Sequence, residues 1–213
     1  MIKAKLTVAH SDLPSFLSKY QDVEHFLKYC KECHNYNTLW SCPPLMFNPK
    51  NFLNEYSDIY IVGAQIFYAD ELRTKYETKD EIINFTRITL RRAKNIIANN
   101  LLELEKIMPD SLSFASGGCS WCCKCTRPNN LPCRKPEKMR YSLDSFGINL
   151  GNVSEDFLNI KLLWGLDKLP QYHTLIHAVV SKHELDLNSF TKHVNTIKLD
   201  DTLLAPVKSH HSH

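Results

Sequence analysis

Eight cysteines fall into two groups along this chain of 213 residues, and their spacing is where its chemistry lies. The later group, Cys119, Cys122, Cys125 and Cys133, reads C-x2-C-x2-C-x7-C. Three thiolates at successive intervals of three let one tight loop wrap around a polynuclear centre and address three of its corners, which is the leading part of a ferredoxin-type run. Zinc more often draws two C-x2-C pairs from separate segments, because four ligands must converge tetrahedrally on one small ion. The pattern therefore favours a 4Fe-4S cluster, with Zn as the alternative. The earlier group, Cys30, Cys33 and Cys42, reads C-x2-C-x8-C and is followed by Pro43 and Pro44. Alone, a C-x2-C pair could be a redox dithiol; beside the later group it reads as a second ligand set.

Two cubanes with full thiolate ligation need four cysteines each, and these groups supply four and three. Cys123 directly follows Cys122, so the two side chains are not expected to reach one cluster, and Cys123 reads as a buried, inert thiol or as the missing eighth ligand. Cys133 could instead cross to the first site, as fourth cysteines do in two-cluster ferredoxins. The site that is a thiolate short would take a His, an Asp or water at its last iron, with His34 the nearest candidate in sequence, or would leave that iron open to substrate. The flanks Gly117 and Gly118 would let backbone N–H groups approach cluster sulfur, and Phe114 and Trp121 could exclude water or simply pack.

These loops need elements to hold them. Ile2–Ala9 alternates as a strand, and Asp12 and Pro14 signal a helix start. Val23, Phe26, Leu27 and Cys30 recur at helical spacing, so the first cysteines sit at a helix end running into the loop 31–49. Ile59–Phe67 is apolar almost throughout, as in a strand covered on both faces. Thr78 and Glu81 form a capping box ahead of a long amphipathic helix from Asp80 to Met108, whose Arg87, Arg91 and Lys94 read as a solvated face. Leu112–Ala115 is a short strand feeding the second cysteine loop. Helices are expected over Pro136–Phe146, stopped by Gly147, and over Ser154–Trp164, capped by Ser154 and stopped by Gly165. Tyr172–Val180 reads as the last strand. Arg134 and Arg140 are expected to pair with Glu137 or Asp144. The sum is an α/β fold: a small mixed sheet of about four strands with packed helices, and a cysteine-rich metal lobe from loops 30–49 and 117–136. Residues 1–213 read as a single domain with a disordered tail over 205–213, His-rich at its end.

Composition narrows the function classes. Hydrophobic residues make up 43% and charged residues 23%, an ordinary globular balance. The net charge of +3 carries no basic block, so nucleic acid is disfavoured as a partner. No apolar run approaches the roughly 20 residues of a membrane helix, and no secretory leader is visible, so a cytoplasmic location is expected. In a reducing compartment clustered cysteines mean metal or redox chemistry more than disulfides. There is no phosphate loop, no dinucleotide fingerprint and no H-E-x-x-H. The C-x3-C-x2-C spacing of radical adenosylmethionine enzymes is also missing.

Three segments resemble a family of bacterial and archaeal proteins described only as predicted metal-binding proteins, a domain of unknown function. The first is Cys30-Lys31-Glu32-Cys33, then Tyr36, then Trp40-Ser41-Cys42-Pro43-Pro44. The second is Gly118-Cys119-Ser120-Trp121-Cys122 with Cys125. The third is Pro132-Cys133-Arg134-Lys135-Pro136-Glu137, then Arg140, Ser142, Gly147 and Ile148. The resemblance implies metal binding through Cys30, Cys33, Cys42, Cys119, Cys122, Cys125 and Cys133. Cys123 is an addition to the pattern. It says little of reaction. An electron carrier serving a redox partner protein, an enzyme acting on a small-molecule substrate through an open iron, and a zinc-stabilised protein-interaction module all remain open, so whether the chain is an enzyme is left undecided.

Overall fold

A central strand with no polar face to spare dictates the layering. In the computed structural model, which describes residues 1–165 and 167–204, strand β1 (Ile2–Asp12) leads to helices α1 (Leu13–Tyr20), α2 (Val23–Glu32) and α3 (Pro49–Leu53). Strand β2 (Asp58–Tyr68) is followed by α4 (Asp70–Lys75) and the long α5 (Lys79–Ile107). Then come β3 (Ser111–Phe114), α6 (Leu150–Leu158), β4 (Tyr172–Ser181) and α7 (Leu187–Val194). The sheet order is β1-β2-β4-β3. The α/β class and the four strands agree with expectation, whereas all three pairings are antiparallel rather than of mixed direction.

Strand β2 lies between β1 and β4 and is buried along nearly its whole length. Because side chains alternate, Tyr60, Val62, Ala64 and Ile66 face one core with Ile97, Leu101 and Phe190. Ile59 and Ile61 face the other with Phe16, Phe146 and Val153. Both faces are therefore covered, which is why β2 reads as a continuous apolar run. Helix α5 starts at the expected capping box, Thr78 with Glu81.

Two expected helices differ. Pro136–Phe146 forms turns and only a short 3-10 helix, Leu143–Phe146. Arg140 is drawn off to Glu105 on α5, and Ser142 makes a parallel bridge to Ala115; both hold the chain off a helical path. Gly147 does stop the turn, with φ +76°. Helix α6 begins earlier than Ser154, capped by the Asn149 side chain, and ends at Asn159 in the left-handed region. The tail over 205–213 lies outside the described residues.

Two bridges place the rest of the site. Gln21 pairs with Ile148 and Ala115 with Ser142. Asp22 N–H donates to Gly147 O at 2.8 Å, Asn149 N–H to Tyr20 O at 2.9 Å and Ala115 N–H to Tyr141 O at 2.8 Å. Segment 142–148 is thus tied at one end to the root of the second cysteine loop and at the other to the root of α2.

Candidate metal centre

The first cysteines come from a helix end and a loop that doubles back. The Asp22 side chain caps α2 by accepting from His25 N–H at 3.0 Å. Cys30 lies in the last turn, and Cys33 is the C-cap residue, its N–H donating to Cys30 O. Asn37 takes a left-handed conformation and donates its N–H to Pro43 O at 2.8 Å, returning the chain so that Cys42 stands near Cys30 and Cys33. These three line one cavity of about 200 Å³.

The second loop leaves β3 through Gly117, at φ +62°. Gly118 packs so closely that a Cβ there would stand 2.6 Å from Leu39 Cδ1, so the Leu39 side chain would have to shift to admit one. Cys119 N–H donates to Ser41 Oγ at 2.8 Å, so this backbone group ties the two loops instead of facing a cluster sulfur. Cys119, Cys122, Cys123, Cys125 and Cys133 line a second cavity of about 330 Å³, with Asn35 shared between the two. Cys133 therefore stays with its own group. Cys123 lies on the same wall but is exposed.

The basic face of α5 is solvated at Arg87 and Arg91 and half-buried at Lys94. Lys94 donates to Gly118 O at 2.5 Å and Arg91 to Ser120 O at 3.0 Å, while Ser120 Oγ donates to Asn95 Oδ1. Helix α5 thus grips the carbonyls of the second loop. Burial lowers the Lys94 pKa from its ordinary value.

A residue missed by sequence reading joins the two loops. Arg127 is 5% exposed. Its guanidinium donates to Leu39 O, Cys42 O and Pro44 O and lies 5.2 Å from the Trp40 ring centre. Trp40 Nε1 in turn donates to Leu131 O at 3.1 Å. A guanidinium suits this place because its fork of donors can satisfy several carbonyls at once. No local pattern marks it, since the carbonyls that it serves lie more than eighty residues earlier in the chain.

The expected pairings of the third motif also change. Arg140 pairs with Glu105 at 2.5 Å, both mostly buried, rather than with the carboxylates of Glu137 or Asp144. Glu105 also accepts from Ser113 N–H and Oγ–H. Arg134 lines the four-cysteine cavity, as does Trp121, whereas Phe114 is wholly in the core. His34 lines the four-cysteine cavity and not the cavity of the triad.

Burial pushes the Cys42 thiol up to about 12, and raises Cys30 and Cys119 as well; Asp144 adds to the rise at Cys30 and Cys42. Such thiols give up their protons when a cation arrives, because a thiolate is the ligand. Among the described residues, no three His, Cys, Asp or Glu side chains converge closely enough to hold one metal ion. The cysteines instead ring two cavities.

Free thiols gathered on paired loops, joined by an arginine and docked on an α/β body, are donors of the kind that metals take. The chain belongs to the family described as predicted metal-binding protein (DUF2284), whose model matches residues 18–176. No curated protein and no solved structure matches it. Among the described residues, no helix is long and apolar enough to cross a membrane.

Proposed function

We propose that this protein holds two iron–sulfur clusters, one in each cysteine-lined cavity. The observation that carries this reading is the partition of the sulfurs: four motif cysteines line one cavity and three line the other. A single zinc ion with bonds of about 2.3 Å needs its sulfurs within about 4 Å of each other. A cubane is addressed at separate corners by thiolates that stand farther apart, and among the described residues the cysteines line two cavities with no three side chains close enough for one ion. When bound, the clusters supply one-electron chemistry and, at an iron lacking a thiolate, a Lewis-acid position.

The residues of this chain do the rest. Cys119, Cys122, Cys125 and Cys133 hold the four-thiolate site, suited to passing electrons to or from a redox partner protein. Cys30, Cys33 and Cys42 hold the three-thiolate site, suited to chemistry on a small-molecule substrate. Arg127 and Ser41 keep the two loops in register.

The test is iron, acid-labile sulfide and zinc content of protein purified without air, in the parent chain and in three variants. About eight irons and eight sulfides per chain are expected in the parent. Cys33→Ser and Cys122→Ser should each lose about half, and Cys123→Ser none. Zinc without sulfide would refute the reading.

A further inference from the structure

The three-cysteine cavity has a fourth donor that the cysteine pattern does not announce. Asp144 lies on its wall with Cys30, Cys33 and Cys42. Its Oδ1 is buried and has no hydrogen-bond partner among the described residues. A sealed carboxylate oxygen without a donor is costly, by about 1–3 kcal/mol for an ordinary polar group and more for a charged one. Native structures retain such groups where something else satisfies them. Arg140, the cation nearest in sequence, is committed to Glu105, and Lys94, which attracts the carboxylate through space, donates to Gly118 O.

The fold holds Asp144 in this position from both sides. It sits in the 3-10 turn Leu143–Phe146, inside the segment pinned by the Ala115–Ser142 and Gln21–Ile148 bridges. Those same bridges set the roots of the two cysteine loops, so the carboxylate and the thiols are positioned by one framework.

A second observation concerns what lies behind it. Asp144 and Gly117 also line an adjoining cavity of about 640 Å³, mostly apolar, with Trp164 and Thr174 on its walls. Trp164 is 84% exposed, and Thr174 Oγ1 is buried without a partner. Asp144 therefore stands on the wall between the triad and a space large enough for a small molecule.

We propose that Asp144 is the fourth ligand of the three-cysteine site, an oxygen donor on the side that faces the larger cavity. The inference rests on the two-cluster reading and deepens it. Three sulfurs and one carboxylate give each corner of a cubane a protein ligand. The carboxylate, a harder and more weakly held ligand for iron than a thiolate, is the one a small molecule arriving from the larger cavity would displace. The missing eighth thiolate is thus replaced by an exchangeable oxygen.

The experiment compares the parent chain with Asp144→Asn, Asp144→Ala and Asp144→Cys, all purified without air, by iron loss to a chelator and by Mössbauer spectra. Asp144→Asn keeps the shape of the side chain, and circular dichroism checks each fold. Asn and Ala variants should release one iron per chain at least about tenfold faster than the parent, a loss in line with removal of a metal-supporting group. The Cys variant should hold that iron as long as the parent or longer, with one iron site of changed Mössbauer parameters. A purely structural role for Asp144 would not be rescued by cysteine. Equal iron loss and identical spectra in all four proteins would overturn Asp144 as a ligand and leave two clusters intact. Absence of sulfide from the parent would instead overturn the two-cluster reading, and Asp144's role with it.

Discussion

Replacing Arg127 by Met removes a buried cation while keeping most of its bulk, and the structure sets the size of the effect. The guanidinium donates to three carbonyls, those of Leu39, Cys42 and Pro44. Hydrogen bonds that involve a charged group contribute about 1.5–3 kcal/mol each. The stack on Trp40 adds about 0.5–2 kcal/mol. Two of the three bonds are only partly buried, so water can reach some of the released oxygens and offset part of the loss. A net cost of about 3–5 kcal/mol follows, which for a chain of this size lowers the melting temperature by roughly 10–15 °C. The assay is thermal unfolding of protein purified without air, with iron release to a chelator followed in parallel. Because two of these carbonyls belong to Cys42 and to Pro44 just beyond it, the triad should lose its iron before the four-cysteine site does. Arg127→Lys should recover part of the stability, since an ammonium can still donate but lacks the planar fork. A melting point within about 3 °C of the parent, corresponding to roughly 1 kcal/mol, would refute the clamp.

Two further outcomes are expected. Gly147→Ala places a Cβ 2.5 Å from Val23 Cα and 2.7 Å from Val23 N at a φ of +76°; with backbone on the receiving side, it should cost about 3 kcal/mol or more in thermal unfolding. His177 is wholly buried, neither ring nitrogen making a well-formed hydrogen bond among the described residues, and burial, with Lys94 adding to it and a contact with the Phe114 backbone opposing it, lowers its pKa to about 3. The folded chain then holds the neutral ring while the unfolded chain takes up a proton below its ordinary value of about 6.5. The contribution of His177 to stability is therefore fully present above that value and lost as pH falls toward about 3, at about 1.4 kcal/mol per pH unit in between. His177→Leu should flatten that slope in urea unfolding series, and parallel pH profiles for the two proteins would count against it.

Much of the frame is legible in local pattern. The capping box at Thr78 and Glu81, the doubly covered strand β2 and the glycine stop at Gly147 are decided by neighbours within a few residues. The matching loops of cysteines are legible for the same reason, because one tight loop must present its thiolates at short fixed intervals. The expected helix over Pro136–Phe146 fails where long-range partners outbid local preference: Glu105 takes Arg140, and Ala115 takes Ser142. Helix α6 fails at its ends, where Asn149 caps earlier than Ser154 and Asn159 turns left-handed.

By itself, then, the sequence determines that this chain is a cysteine-lobed α/β protein with two motif cysteine groups of four and three, because those features follow from spacing and periodicity. Only the tertiary structure decides that the groups line separate cavities, that Lys94 and Arg91 grip one loop, and that Arg127 joins both. It alone places Asp144 beside Cys42, about a hundred positions earlier, and His34 on the opposite cavity. The reason is physical. A buried charge or an unsatisfied carbonyl has to find a partner somewhere in the folded chain, and which one it finds depends on packing that no short stretch of residues encodes.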